Sequence, residues 1–453
     1  MKHRLIVSAE VGKVIEVYCK QLYDFQFDKA KETVDSFRNK QLLNNTNSSS
    51  PLDHPQDFAW LALLQALSQL SLVERTYLGL SFLLPKSYFR KENAIQSNYN
   101  QIGSELRRAS DSLRVWLRQQ TDRKESLAEH VLSQFRSYVD ARVDMMNLYA
   151  KLAHVPTQKA FTLQQTTGML LEIKQRYKSS FHHPEIAQLK NAFENELELL
   201  LALLQCQQVL SKLQFIESLC FLKTARSIVT VWLADRKIDQ RPQASSWFSL
   251  GSSPKQGAQL SLCVWLRTFY DTLVAKFTLY FYEVLSHQTT PTEMKQQLAV
   301  APAARFLQNI ALFQKKQEAR NVFLFLDCQD APQFVGIGYR HPEREPPESV
   351  KGVESCPIIF WQPKDHCPDK DRPDWIMIFN QYRFDILERP VYMFDHKKSI
   401  SYFLGWVESN IYLGVTFKEK KQEKDLAVKN FIGDLLHELK CRKLLESLKS
   451  AGR

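Results

Sequence analysis

Glycine is scarce in this chain, with 13 in 453 residues, where average usage of about 7% would give roughly 30. The shortage argues against a Gly-rich loop enzyme, a β-rich sandwich or a flexible linker protein. It favours long helices, where glycine is costly. Long apolar runs are missing too. The richest stretch, Leu260 to Leu285, is interrupted by Arg267, Asp271, Lys276 and Glu283, so no segment is expected to span a bilayer. Near the start, the apolar run Leu5-Ile6-Val7 is too short for a signal-peptide core. The 8 cysteines are scattered without a Cys-x-x-Cys pair, which gives no disulfide framework and no zinc-ribbon spacing.

Phosphate-binding motifs are absent as well. There is no Gly-x-x-x-x-Gly-Lys-Ser/Thr, and Gly336-Ile337-Gly338 lacks a third glycine and sits in a strand-like run. His437-Glu438-Leu439-Lys440-Cys441 starts like a zincin helix but lacks the second histidine. Cys356, His366, Cys367 and Asp369 are the nearest approach to a metal cluster, with spacing that fits zinc poorly. No zinc finger or RNA-recognition signature is present. The sequence therefore predicts no catalytic residues, no metal, no cofactor and no nucleic-acid partner.

What remains is a helical pattern that changes character late in the chain. Residues 1–300 hold six glycines and eight prolines, and the last 153 residues hold seven and ten. The expected organisation is a multi-helix bundle over 1–295 and a small α/β domain over 296–453. The helices read as Val11–Leu22, Phe27–Arg38, Gln56–Leu84, Tyr88–Gln120, Leu127–Leu152, Leu163–Tyr177, Glu185–Leu213, Ile216–Arg236 and Leu260–His287, each from its apolar periodicity. Polar stretches at 44–55 and 239–257 read as loops. Thr290 is placed to cap a short helix beginning at Pro291. Beyond it, Ala303–Gln314 reads as helix. Asn321–Leu326, Phe334–Tyr339, Pro357–Trp361, Trp375–Phe379, Val391–Phe394 and Tyr412–Phe417 read as strands. Asp425–Leu448 closes the chain as one amphipathic helix. The fold class is α + (α+β), with a mainly antiparallel sheet carrying helices on one face. In outline it is similar to small roadblock or longin-like modules.

Net charge is +11, divided as +8 over the first 300 residues and +3 over the rest. Such an excess can serve contact with an acidic surface, although a solvated helical surface is the preferred account. On the fourth helix Arg107, Arg114 and Arg118 fall at i, i+7 and i+11, on one face. His182-His183-Pro184 reads as a helix-to-helix corner. Lys418, Lys420 and Lys421 belong to a charge run ending at Lys424 that reads as a solvated loop. The basic helical face and this loop leave open an alternative function, a peripheral tether for anionic lipid.

Several segments share one likeness. They are Phe27-Asp28-Lys29-Ala30-Lys31, Lys174 to Pro184, Leu273-Val274-Ala275-Lys276-Phe277, Tyr280 to Glu283, Leu285 to Thr290, Glu293-Met294-Lys295, Gly338-Tyr339-Arg340-His341-Pro342 and Lys351-Gly352-Val353. Their order and separations resemble the KICSTOR subunit 2 family from about residue 20 onward. The resemblance implies a non-enzymatic scaffold on the cytoplasmic face of the lysosome and in the cytosol. It also implies other KICSTOR subunits and the GATOR complex as partners, and restraint of mTOR signalling when amino acids or glucose are scarce. The candidate partner surface comprises Arg107, Arg114, Arg118, His182, His183, Tyr339, His341, Lys418, Lys420 and Lys421.

Overall fold

The computed structural model describes residues 2–46, 55–83, 94–119, 126–156, 162–233, 260–299, 302–329 and 352–449. The strand expected at 334–339 and the loop at 239–257 lie outside them, as does most of the 44–55 loop. Contacts divide the chain into two compact units. The first is Met1–Leu201 with Ile228–Leu266 and Glu446–Arg453, and the second is Ala202–Ser227 with Arg267–Leu445. Residues 202–227 and 267–295, assigned to the helical part by sequence, thus pack with the sheet-bearing unit.

The first unit is helical. It contains α1 (Lys2–Tyr23), α2 (Phe27–Thr46), α3 (Pro55–Leu78), α4 (Ala94–Arg118), α5 (Leu127–His154), α6 (Leu163–Arg176) and the first part of α7 (Ala187–Leu210). Local signals explain several boundaries. Thr162 and Gln165 form a reciprocal capping box at the start of α6, with the Gln165 N–H on Thr162 Oγ1 at 3.2 Å and the Thr162 N–H on Gln165 Oε1 at 2.9 Å. In α3, Leu64, Leu67 and Leu70 are buried while Phe58 is 54% exposed. An every-third-residue row drifts around a helix of 3.6 residues per turn, so its first member leaves the buried face.

Helix ends follow an unusual rule. The left-handed conformation that glycine normally supplies after a helix falls on Phe25, Leu80, Leu213, Glu318 and Cys441, all with φ between 54° and 56°. The scarcity of glycine is therefore met by side-chain-bearing residues at conformationally costly positions.

The second unit holds α8 (Phe215–Ile228) and α9 (Ser261–Tyr280) over most of their lengths, then α10 (Tyr282–Gln288), α11 (Pro291–Ala299) and α12 (Arg305–Gln317). Thr290 and Glu293 cap α11 through the Thr290 N–H on Glu293 Oε2 at 3.0 Å and the Glu293 N–H on Thr290 Oγ1 at 3.3 Å. The sheet comprises β1 (Asn321–Leu326), β2 (Ile358–Gln362), β3 (Val391–Asp395), β4 (Ile400–Glu408) and β5 (Ile411–Phe417). Its order is β2-β1-β5-β4-β3, and every pairing is antiparallel. Between β2 and β3 lie α13 (Arg372–Gln381) and α14 (Asp385–Glu388), and α15 (Leu426–Leu439) with α16 (Arg442–Ser447) closes the chain.

Helices cover both faces of the sheet, not one. On one face Phe323, Phe325, Tyr402, Leu404 and Tyr412 pack with Trp375, Phe379 and Ile386 of α13 and α14. On the other, Leu436 and Ile432 of α15 lie over Gly405, and Phe431 stacks on Phe313 of α12 at 3.6 Å between ring centroids. Burial on both faces explains why β1 and β5 are apolar without alternation. Two strand expectations are corrected. Trp375–Phe379 is helical, because Trp375, Ile376, Ile378 and Phe379 are buried while Met377 between them is 60% exposed. That is a helical period; in a strand Met377 would share a face with Trp375 and Phe379. The interior strand β4, between β5 and β3, has no counterpart in the expected set.

Candidate interaction surface

Arg107, Arg114 and Arg118 are exposed on α4. Arg114 is not a free cation, because its Nε is paired with Glu129 Oε1 on the first turn of α5. The next residue, His130, meets His182 edge-on at 4.8 Å and His183 at a tilt at 5.5 Å between ring centroids. The structure thus brings Arg114 and the histidine pair to the same end of α5. The corner itself is fixed by the His182 N–H on Gln134 Oε1 at 3.0 Å and by the Glu185 N–H on His183 Nδ1 at 3.3 Å. Burial, with His182 alongside, lowers the pKa of His183, so its ring is neutral near pH 7.

The Lys418–Lys424 run is a largely exposed loop, as expected, with its backbone tied to the sheet at Glu419 and Lys421. Ser401 Oγ donates to the Glu419 carbonyl at 2.7 Å and accepts from the Lys421 N–H at 2.9 Å, and the Tyr392 hydroxyl donates to the Lys421 carbonyl at 2.7 Å. Lys421 Nζ is paired with Glu419 at 2.7 Å, and Lys420 Nζ lies 5.5 Å from the centre of the Phe394 ring. Lys418 and Lys420 remain exposed. Tyr339 and His341 lie outside the described residues. The arginine and histidine candidates belong to the first unit and the lysines to the second.

Sequence reasoning missed two buried polar clusters. In the first unit the Arg142 guanidinium, on α5, binds Glu74 of α3 through Nη2–Oε2 at 2.9 Å and Nε–Oε1 at 3.0 Å. Its Nη1 binds Glu196 Oε2 of α7 at 2.6 Å. Tyr99 donates to Glu74 at 2.7 Å, and Tyr77 and Tyr149 donate to Glu196 at 2.6 and 3.1 Å. The Tyr138 hydroxyl accepts from Arg142 Nε at 2.8 Å. Burial disfavours the cation, but Glu74, the Tyr138 oxygen and Glu196 outweigh it and hold Arg142 charged. The four phenols are pushed well above their ordinary range, chiefly by burial, so they stay neutral donors.

In the second unit Lys276 of α9 is fully buried and meets Glu408 of β4 at 2.5 Å and Gln207 of α7 at 2.9 Å. Gln207 Nε2 donates to Glu408 Oε2 at 3.1 Å, the Tyr280 hydroxyl to Glu408 Oε1 at 2.6 Å, and the Cys441 thiol to Gln207 Oε1 at 3.3 Å. Burial raises the pKa of both Cys206 and Cys441 to about 12, which leaves them protonated and poor nucleophiles. The chemistry of both clusters is turned inward, to set helix and strand positions. The available sequence signal was a charged residue inside an apolar stripe: Arg142 follows Tyr138 and Val139, and Lys276 sits between Ala275 and Phe277. Among the described residues no group of three or more His, Cys, Asp or Glu is placed to hold a metal ion. Of the residues considered for zinc, Cys356 is buried in the sheet core, and His366 Nε2 faces Arg320 Nε at 3.2 Å.

The family model described as "KICSTOR complex C12orf66 like" matches residues 6–453. The chain belongs to this KICSTOR family. It is 30% identical to KICSTOR subunit 2 of Danio rerio over 448 residues, covering 97% of this chain and 96% of that protein. It is 29% identical to KICSTOR subunit 2 of Xenopus laevis over 455 residues, covering 99% and 98%. Two of the segments that carried the resemblance now have structural roles. The segment around Lys276 supplies the buried cation of the second unit, and that from Lys174 to Pro184 forms the His182–His183 corner. The KICSTOR-family chain also exposes apolar side chains on α13, α14 and the turn between them. Met377 is 60%, Phe384 83% and Leu387 44% exposed, the kind of surface that marks protein contacts when contiguous.

Proposed function

We propose that this KICSTOR-family chain is a non-enzymatic scaffold subunit that assembles with the other KICSTOR subunits at the lysosomal surface. There it helps recruit the GATOR GTPase-activating complex, and so restrains mTOR signalling when amino acids or glucose are scarce. The observation that carries this reading is the likeness to proteins named KICSTOR subunit 2 over nearly the full length of both chains. It is supported by the inward-turned polar clusters and by the exposed Met377, Phe384 and Leu387. Membrane attachment is expected to come through partners, since among the described residues no helix is long and apolar enough to cross a membrane. The test is reconstitution: GATOR should be retained on immobilised KICSTOR subunits only when this chain is present. Retention without it would overturn the reading.

The lipid-tether alternative draws on Lys418, Lys420 and the exposed arginines. It is weakened by the pairing of Arg114 with Glu129 and of Lys421 with Glu419. Flotation with anionic vesicles decides between them. The scaffold reading expects no binding by the isolated chain, and the tether expects binding that weakens with salt.

A further inference from the structure

The second unit contains a cavity of about 680 Å³ between α10, α11, α12 and β2. That size falls within the range of about 300–1,000 Å³ typical of small-molecule sites. Met294 and Leu298 of α11 form one wall, and Leu307 and Ala311 of α12 the other, with Phe360 of β2 between them. Phe360 is 1% exposed and Met294 7%, so these two apolar side chains of the lining are withdrawn from solvent.

The charges lining this cavity are of one sign. Lys295 and Lys364 are present and no Asp or Glu is. Lys295 is exposed, and no ion-pair partner for it occurs among the described residues. Lys364 is held in place. Its Nζ lies 4.0 Å from the centre of the Tyr282 ring, 4.4 Å from Trp361 and 4.6 Å from Phe360, and it is paired with Glu283 Oε1. Glu283 and the three rings thus already meet the Lys364 charge, which leaves Lys295 as the lining cation open to an anion.

We propose that this cavity binds an anionic amphiphile, with an aliphatic tail between α11 and α12 and a carboxylate at Lys295. The tail accounts for the apolar walls, and the carboxylate for Lys295, the lining cation that Glu283 does not already neutralise. A neutral tail of the same length would bind without the charge contact, and a cationic one would be repelled.

Isothermal titration of the full chain with dodecanoate, dodecanol and dodecyltrimethylammonium, below their micelle concentrations, tests this. Dodecanoate is expected to saturate at one site per chain and to bind about tenfold more tightly than dodecanol, the order of a single charge contact. Lys295→Glu, an exposed change, should remove that advantage and leave dodecanol unaffected. Ala311→Trp should fill the cavity and abolish both; if that variant fails to fold, Lys295→Glu alone decides. Equal affinity for dodecanoate and dodecanol, insensitivity to Lys295→Glu, or no saturation would overturn the proposal. A parallel arm with phosphatidylcholine–phosphatidylserine vesicles separates the two sources of such a tail. Ala311-dependent flotation assigns it to a membrane lipid, and binding only in solution assigns it to a free carboxylate.

Discussion

Arg142→Met removes a charge that three helices share. The methionine fills similar space without a cation, so Glu74 and Glu196 keep their burial and lose the group that bridges them. Both carboxylates are no more than 4% exposed, and water cannot replace the lost hydrogen bonds. Breaking a buried ion pair by removing one partner costs about 3–5 kcal/mol. Because Arg142 makes a bidentate contact to Glu74 and a second contact to Glu196, the upper part of that range is expected. For a unit of this size it corresponds to a melting decrease of about 6–20 °C. Arg142→Lys should fall between wild type and Arg142→Met, since one ammonium cannot reproduce the fork to Glu74 while reaching Glu196. The assay is amide hydrogen exchange across α3, α5 and α7, combined with thermal melting, because two units need not unfold together. Faster exchange should be confined to the first unit. A loss below about 1 kcal/mol, the range of exposed pairs, would refute the argument that this cluster fixes the helix packing.

Three further outcomes follow from other positions. At 414 a Cβ would sit 2.6 Å from Phe323 Cε1, so Gly414→Ala should destabilise the sheet unit by about 1–3 kcal/mol in denaturant titrations. Glu318 ends α12 at φ 54° on an exposed turn, so Glu318→Gly should raise stability by about 0.5–1 kcal/mol after allowing for the looser unfolded chain. The pKa of His183 is lowered from an ordinary value near 6.5, so its contribution is intact above pH 6.5 and is lost as the pH falls below it. His130, His182 and Glu185 surround it. Burial, with Glu16 nearby, raises Glu185 and so favours the acidic side, in the opposite sense. The difference between wild type and His183→Gln at pH 7.5 and 5.5 therefore isolates the histidine; a difference independent of pH would contradict the assignment.

The helices were legible wherever an apolar stripe ran unbroken, as in α5, which the sequence places over Leu127–Leu152 and the structure over Leu127–His154. Their ends were harder to read because the usual marker is missing. The expected single helix Asp425–Leu448 is broken at Lys440–Cys441, and the left-handed residue there is a cysteine. α9 and α10 likewise divide at Phe281, inside an aromatic run with no glycine or proline. In α13 the order Trp-Ile-Met-Ile-Phe has the composition of a buried strand, and only the exposure of Met377 reveals the helical period. The candidate surface was legible as residue types but not as pairings. Nothing in the sequence links Arg114 to Glu129 or Lys421 to Glu419 within otherwise charged stretches. The two buried clusters depend on partners far apart in the chain, such as Gln207 with Glu408, which no local pattern brings together.

The central claim is that this chain is a subunit of a KICSTOR assembly. Light scattering coupled to gel filtration tests it most directly, with the 52.8 kDa chain mixed with the other KICSTOR subunits. A single co-eluting species, heavier than the partner assembly by one chain mass or a whole multiple of it, is the predicted result. Separate elution of this chain at all concentrations and salt conditions would contradict it.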